Sequence, residues 1–160
     1  MGKEFRIYKP RKSNDGAASS FQISEKKQEK WTDHFLFMTL AKQTGTDANG
    51  NSSFDWKDGR IIVKLEQNDI GEFLACLNGQ KNSIGAKDKG LYHQTPKGNT
   101  VVSFVFNNGK DDSEAYYSLR VSSKMKDQKE ARVISHLITL AEANALKVLM
   151  ERALVKKFGW

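Results

Sequence analysis

The chain has 160 residues, 38% of them hydrophobic and 28% charged, which is typical of one globular domain spanning 1–160. A net charge of +7 favours an acidic partner, nucleic acid before an anionic membrane. The single Cys76 excludes an internal disulfide and a multi-cysteine zinc site, and no apolar run reaches the ~18 residues of a membrane span. We therefore expect a cytoplasmic protein (organellar only if a transit peptide has been removed), with no metal or cofactor.

The opening of the chain predicts two strands joined by a basic turn. Residues 1–12 carry five cations and one acid, and the five small residues at 16–20 follow them. Cations at a strand end can keep a sheet edge soluble. They can also hold a polyanion against backbone that small side chains leave accessible. Both interpretations stay open at this point.

Two segments predict helices. The first has Asn68 as its N-cap, repeats apolar residues at helical spacing and ends near Gly79. The second begins with a capping box of Thr139 and Glu142 and continues to the end of the chain.

The remaining segments predict strands, because they are rich in β-branched and aromatic residues and are separated by turn clusters. With the two opening strands, the order is four strands, a helix, about four strands and a helix. Such an order indicates an α+β fold with antiparallel sheets, and it suggests an internal structural duplication.

Alternation along the strands predicts one apolar face under the helices and one wet face. In the strand at 116–122, for example, Tyr117 and Leu119 oppose Tyr116 and Arg120. Aromatic, hydroxyl, amide and cationic groups are the parts of a surface that binds single-stranded nucleic acid. An ordinary antiparallel sheet also has polar residues on its solvated face, so the pattern alone leaves both possibilities open.

Five short segments in one order along the chain carry a family resemblance. They read FRIYK at 5–9, FDWKDGRIIVKLEQNDIGEFLACL at 54–77, LYHQTP at 91–96, YYSLRVSSK at 116–124 and ITLAEANALKVLMERALVKKFGW at 138–160. Together they resemble the plant Whirly family of single-stranded-DNA-binding proteins. The resemblance extends to the aromatic-Asp-Trp at 54–56 and to the terminal Gly159 and Trp160.

The chain departs from this family at its DNA-binding motif, Lys-Gly-Lys-Ala-Ala-Leu, which directly follows the first Tyr-Lys. Here seven residues, 10–16, precede Ala17, and Ser19 stands at the Leu position. Arg11 and Lys12 keep the cations on a longer turn. The family's transit peptide has no counterpart at the start, so we expect a bacterial or phage-type relative or a trimmed chain.

The resemblance implies a Whirly-like ββββα-ββββα fold, with the helices at the core of a homotetramer. It also implies that the protein coats single-stranded DNA with little sequence preference, in repair, replication, recombination or transcription. The implied phosphate contacts are Lys9, Arg11, Lys12, Arg60, Lys64 and Arg120. The implied stacking residues are Tyr8, Phe35, Phe37, Trp56 and Tyr116. Further contacts are implied at Ala17, Ser20 and Gln22.

Subunit contacts are implied along the last helix. The residues are Leu146, Leu149, Met150, Ala153, Phe158 and Trp160. Core positions for Phe35 and Phe37, and a place behind the sheet for Trp56, stay open as alternatives.

Three other functions compete with this one. An RNA-binding module of the kinetoplastid guide-RNA-binding type would have a similar fold, and an oligomeric interaction protein would bind neither polymer. An enzyme is not expected: His34, His93 and His136 lie in no metal-ligand or nucleophile motif, and Cys76 falls on the apolar side of the first helix.

Overall fold

The computed structural model describes residues 3–111 and 113–160, which form two successive blocks of strands, each closed by a helix. The first block contains β1 (Phe5–Lys9), β2 (Ala17–Lys27), β3 (Thr32–Thr46), β4 (Ser52–Phe54), β5 (Ile61–Leu65) and α1 (Gln67–Leu77). A 3-10 turn at Ala86–Asp88 leads to β6 (Leu91–Thr95), β7 (Gly98–Asn107), β8 (Tyr116–Met125), β9 (Arg132–Thr139) and α2 (Leu140–Phe158). This order confirms the predicted α+β class.

Both sheets are antiparallel, and their strands lie in chain order. In the first sheet β1, β2 and β3 are neighbours, and the fourth position is shared, because β5 and β4 pair with successive parts of β3. The second sheet has the order β6-β7-β8-β9. Strand β4 lies in a Gly- and Asn-rich segment that predicts only a turn, so the sequence pattern did not indicate it.

Side chains near the helix ends set where each helix begins. Glu142 N donates to Thr139 Oγ1 at 3.2 Å and Thr139 N donates to Glu142 Oε1 at 2.9 Å, so the predicted capping box of α2 is present. The prediction of Asn68 as the N-cap of α1 is wrong. Glu66 takes that place, because the Asp69 carboxylate accepts its backbone N–H at 2.9 Å. Among the described residues, no helix has the length and apolar character to cross a membrane.

One continuous apolar core joins the inner faces of both sheets to the two helices. The ring of Phe104 lies at the centre, with its centroid 4.9 Å from Phe73 of α1 and 4.8 Å from Tyr117 of β8. Leu146 and Met150 of α2 are fully buried. Each such side chain stabilises the fold by roughly 1.5–3 kcal/mol. Because the helices cover these inner faces, the opposite face of each sheet points outward.

The two blocks meet along β9, the last strand of the second sheet. Strand β9 lies next to β1, β2 and β3, so one edge of the second sheet borders the first sheet. Two polar side-chain contacts join elements across the fold: His93 Nε2 lies 3.2 Å from Asp69 Oδ2, and Lys157 Nζ forms an ion pair with Asp33 Oδ1 at 3.3 Å. This arrangement brings the turn after β1 next to the edge of the second sheet.

Candidate nucleic-acid interface

The outer face of the first sheet carries aromatic and cationic side chains. Ile7 is buried, so its neighbours Arg6 and Tyr8 project to the opposite face of β1. Phe35 and Phe37 are half-buried and alternate with core residues of β3, so they also lie on this outer face. The alternative that Phe35 and Phe37 lie in the core is therefore wrong.

Three rings, which we call the aromatic cluster, meet on this face: Tyr8, Phe54 and Trp56. The Tyr8 centroid lies 5.5 Å from that of Phe54 and 6.5 Å from that of Trp56. The Arg6 guanidinium lies 5.3 Å from the Trp56 centroid and donates to Tyr8 Oη at 3.2 Å. Hydrogen bonds to Tyr8 and to Glu4 raise the pKa of Arg6, which keeps the cation charged. Sequence reasoning had assigned no binding role to Arg6 or Phe54.

A tight turn after β4 positions Trp56. The Asp55 carboxylate accepts the backbone N–H of Asp58 at 3.0 Å, and this bond is the main cause that lowers the pKa of Asp55. A Cβ on Gly59 would collide with that carboxylate, so the turn favours glycine there. Arg60 donates to the Trp56 carbonyl at 3.0 Å. Trp56 is half-buried, and its contacts place it on the outer face instead of behind the sheet.

The small residues of β2 lie beneath the aromatic cluster. Strand pairing puts Ala18 beside Tyr8 and Ala41 beside Ala18, all on the outer face. Both alanines are fully buried although they project away from the helices. Tyr8 belongs to the aromatic cluster, so the cluster begins beside these alanines. Small side chains at these positions therefore let the rings lie close to the strands.

A second π surface lies further along the same face. The rings of Phe35 and Phe37 have centroids 6.3 Å apart. Lys64 Nζ lies 3.8 Å from the Phe35 centroid and 3.2 Å from Glu66 Oε1. Gln22 is half-buried and pairs with Phe37 across β2 and β3. The outer face of the first sheet thus carries two groups of aromatic rings. A cation lies beside each, Arg6 at the aromatic cluster and Lys64 at Phe35.

Gln43 holds the lengthened basic turn between β1 and β2 in place. Its Oε1 accepts the backbone N–H groups of Arg11 at 2.8 Å and Gly16 at 3.1 Å. Its Nε2 donates to the Arg11 carbonyl and to Asn14 Oδ1, each at 3.2 Å. A Cβ on Gly16 would collide with the Lys9 carbonyl and with the Gln43 side chain. No local pattern in the sequence indicates this role of Gln43.

The cations of this turn do not all face solvent. Lys9 shares the inner side of β1 with Ile7, and its Nζ lies 2.7 Å from Glu142 Oε1 at the start of α2. Burial acts to raise the pKa of Glu142, but hydrogen bonds from Lys9 and the helix cap lower it overall. Arg11 and Lys12 are exposed. Of the three cations predicted here, Arg11 and Lys12 are therefore the accessible ones.

The other predicted contacts are spread over both sheets. Tyr116 is half-buried and Arg120 is exposed on the outer face of the second sheet. Ser20 lies on the outer face of the first sheet and is 7% exposed. Ala17 is buried on the inner side of β2, at the end of the basic turn. The structure therefore brings together the residues of the first sheet and leaves those of the second apart from them.

The predicted subunit contacts on α2 fall into two groups. Leu146, Met150 and Ala153 are buried in the core of the same chain, and Leu149 is half-buried. Beyond them, Phe158 and Trp160 are 44% and 79% exposed, and their rings stack with centroids 4.8 Å apart. Of these predicted contacts, the exposed apolar side chains thus lie at the end of the helix, and Val148, in its middle, is a further exposed apolar residue.

The fold can be compared with solved structures. WHY3 from Arabidopsis thaliana matches with a TM-score of 0.72 and 17% identity, over 100% of this chain and 90% of WHY3. The plant transcriptional regulator PBF-2 matches with a TM-score of 0.71 and 15% identity, over 99% of this chain and 83% of PBF-2. A guide-RNA-binding protein complex bound to a guide RNA matches with a TM-score of 0.65 and 14% identity, over 100% of this chain and 94% of the chain in that complex.

These likenesses confirm a Whirly-like fold for the chain. No protein-family model matches the sequence, and no curated protein matches it.

Proposed function

We propose that this protein binds single-stranded nucleic acid, DNA in the first place, along the outer face of the first sheet. The aromatic cluster with Arg6 is the observation that carries the proposal. A base stacked on such a ring contributes about 1–3 kcal/mol, and every base has a π-face. Binding through stacking would therefore have little sequence preference.

Cations near the aromatic groups supply the second part of the proposed mechanism. Arg6 and Lys64 lie on the outer face with the rings, and Arg11 and Lys12 lie in the turn at one end of β1. A strand that stacks on the rings would run close to these groups, which would neutralise its phosphates. Each phosphate so contacted releases counterions, so the affinity would decrease as salt increases.

The cellular task that we propose is the coating of exposed single strands in repair, replication, recombination or transcription. One structure of similar fold is that of a plant transcriptional regulator, which is compatible with the last of these.

The test is a titration of the protein into fluorescent oligo-dT, followed by anisotropy at two salt concentrations, with a duplex of equal length as competitor. We expect binding that resists the duplex, with a log–log salt slope near −0.7 for each phosphate contacted. Equal affinity for the duplex would mean that the net charge of +7 acts unselectively. No binding to oligo-dT at low salt would contradict the DNA assignment and leave RNA or a protein partner to be tested.

RNA is the second candidate, because the guide-RNA-binding complex shares the fold. Stacking and phosphate contacts do not separate RNA from DNA, whereas contacts to the 2′-hydroxyl do. Titration with oligo-U and oligo-dU of equal length isolates that hydroxyl. Tighter binding of oligo-U by about tenfold would assign the protein to RNA, and equal or weaker binding would favour DNA.

We also propose that the chain associates with itself, as a homotetramer, through the exposed end of α2. The stacked rings of Phe158 and Trp160 offer the apolar surface. Light scattering after gel filtration should give four chains for the wild type and fewer for Trp160→Ser. Trp31→Ser is the matched control, because Trp31 is also exposed, at 58%, but precedes β3. A wild-type mass of one chain would contradict the proposal.

A further inference from the structure

The turn at 55–60 carries Trp56 and joins β4, which has only three residues, to β5. The Asp55 carboxylate accepts the backbone N–H groups of Lys57 at 3.3 Å and Asp58 at 3.0 Å. The backbone N–H of Asp55 donates to the Lys42 carbonyl of β3 at 2.9 Å. These bonds fix the first half of the turn. The carbonyl groups of its second half take their donors from elsewhere in the fold.

Arg132, the first residue of β9 in the second sheet, supplies those donors. Its Nη1 donates to the Arg60 carbonyl at 3.3 Å and to the Asp58 carbonyl at 3.5 Å, across 72 and 74 residues of sequence. The side chain is half-buried and lies on the inner side of β9, the side of Ile134. A residue of the second sheet therefore holds a turn of the first sheet.

Two hydrogen bonds in series connect β9 to the backbone of Trp56. Arg132 donates to the carbonyl of Arg60, and Arg60 Nη1 donates to the carbonyl of Trp56 at 3.0 Å. The position of this backbone determines where the Trp56 ring lies against Tyr8, 6.5 Å away between centroids. A ring that is held in place before binding can stack on a base without the entropic cost of being ordered.

A direct contact with a phosphate is the other role that an arginine could have at this position. Arg6 and Lys64 lie on the outer face with the rings, whereas Arg132 lies on the inner side of its strand. Its Nη1 already donates to two carbonyl groups. Its charge also acts on Asp55, whose pKa is lowered chiefly by the Asp58 N–H and to the smallest extent by Arg132. These contacts favour a role inside the protein.

We propose that Arg132 is a positioning residue for nucleic-acid binding, which holds the turn at 55–60 so that the Trp56 ring is in place for a base. Its effect on affinity rests on the proposed function, whereas its effect on the ring is present in the free protein. The second sheet thus supports the binding face of the first sheet through a residue that does not contact the strand.

The first test is a double-mutant cycle of Arg132→Met and Trp56→Ala, by anisotropy with oligo-dT over a series of salt concentrations. Methionine keeps an unbranched stem and removes the donors. Arg132→Met alone should weaken binding about fivefold, an ordinary size for residues that are coupled. In the Trp56→Ala background the same change should weaken binding by less than about twofold, because the ring through which Arg132 acts is gone. Arg120→Met is the matched control, since it removes the same charge from β8 and leaves both bonds to the turn intact.

The salt series separates positioning from a direct phosphate contact. Arg132→Met should keep the log–log salt slope of the wild type. A slope reduced by about 0.7 would overturn the inference, because it would mean that Arg132 itself contacts a phosphate. An equal loss of affinity with and without Trp56, or no loss at all, would also overturn it. So would a loss in Arg120→Met as large as that in Arg132→Met, since charge alone would then be the cause.

A second measurement follows the ring directly, in the free protein labelled with 5-fluorotryptophan. The three tryptophans give separate ¹⁹F resonances, and Trp56→Phe assigns that of Trp56. In Arg132→Met the Trp56 resonance should shift or broaden, while those of Trp31 and Trp160 stay in place and report an intact fold. Arg132→Gln, with a shorter polar side chain, repeats the comparison if the methionine variant does not fold. An unmoved Trp56 resonance in the folded variant overturns the positioning role.

The two measurements keep the inference and the proposed function apart. A wild type that does not bind oligo-dT at low salt contradicts the DNA assignment, and the ¹⁹F spectrum still decides whether Arg132 positions Trp56. A wild type that binds, with an unmoved Trp56 resonance in the variant, leaves the proposed function standing and overturns the inference.

Discussion

The two sheets have the same antiparallel architecture but different outer faces. The first carries the aromatic cluster with Arg6, and the pair Phe35 and Phe37 with Lys64. The second carries hydroxyls, aliphatic side chains and two tyrosines on strands that are not neighbours, Tyr92 of β6 and Tyr116 of β8. Its cations are Lys124 and Arg120, which lies between serines of the adjacent strands. A shared fold therefore does not make the two faces equivalent. Stacking groups are already assembled on one face, and we expect most of the binding energy there.

Removal of Trp56 should separate the two faces most clearly. Trp56→Ala is expected to weaken binding to oligo-dT by about 1–3 kcal/mol, because it removes a stacking ring and the partner of Arg6. Tyr92→Ala is the matched control on the second sheet, where Tyr92 is 60% exposed. Its affinity in the same anisotropy titration should stay within about twofold of the wild type. Similar losses in both variants would show that the two faces bind alike.

Release of the basic turn should be the next largest effect. Gln43→Leu leaves the backbone N–H groups of Arg11 and Gly16 without their acceptor, and should lower the free energy of unfolding by about 1–2 kcal/mol. We also expect weaker binding to oligo-dT, since the turn no longer holds its cations at the end of β1.

Asn107→Leu provides the comparison on the second sheet. The Asn107 amide donates to the Val105 carbonyl at 3.1 Å and to Ser118 Oγ at 3.0 Å, so its loss should also lower stability in urea unfolding. Its affinity for oligo-dT should not change. A loss of affinity equal to that of Gln43→Leu would mean that both variants act through stability alone.

Removal of one arginine from each sheet tests the same difference between the two faces through the salt dependence of binding. We expect a smaller effect here than in the preceding variants. Arg6→Gln should reduce the log–log salt slope of binding by about 0.7, the value for one phosphate contact on a single strand. Arg120→Gln should leave the slope unchanged if strands avoid the second sheet. A reduction in both variants, measured by titration over a series of salt concentrations, would extend the interface over both sheets.

Acid should weaken the junction between the sheets, with the smallest effect. Burial lowers the pKa of His136 below its ordinary 6.5, and the lowered pKa of Glu142 lies below 4.5. The unfolded chain thus takes up protons that the folded chain does not, first below pH 6.5 and then below pH 4.5. The free energy of unfolding should be constant above pH 7 and should decrease on acidification through these two windows.

Two variants test which residue causes the loss of stability in each of these two pH ranges. His136→Phe should reduce the decrease that begins near pH 6.5, and Glu142→Gln should reduce the decrease that begins near pH 4.5, to which Glu72 also contributes, in urea unfolding followed from pH 8 to pH 3. Unchanged profiles in both variants would mean that other groups determine the acid sensitivity.

The alternation of side chains along a strand was sufficient to predict part of the interface. Alternation correctly separates Tyr116 and Arg120 from the buried Tyr117 and Leu119 of β8. Applied to β1, the same rule assigns Arg6 to the face of Tyr8 and Lys9 to the face of Ile7, as the structure has them. The family resemblance, whose binding motif follows the first Tyr-Lys, implied a contact at Lys9 and none at Arg6.

Other parts of the interface depend on residues distant in sequence. Phe54 reaches Tyr8 only because β4 pairs with β3, in a segment whose composition indicates a turn. Gln43 bonds to a turn 27–32 residues earlier in the chain. No local pattern marks either contact, since each depends on how the strands are aligned.

The sequence by itself determined the order of strands and helices, the capping box of α2 and the apolar face of each sheet. These follow from steric preferences, hydrogen bonds and burial within a few residues of one another. Only the tertiary structure decided that the rings of the aromatic cluster meet, that Lys9 binds Glu142, and that Tyr8 and His136 line one cleft. The physical reason is that each of these contacts joins separate elements, and packing of the whole core brings those elements together.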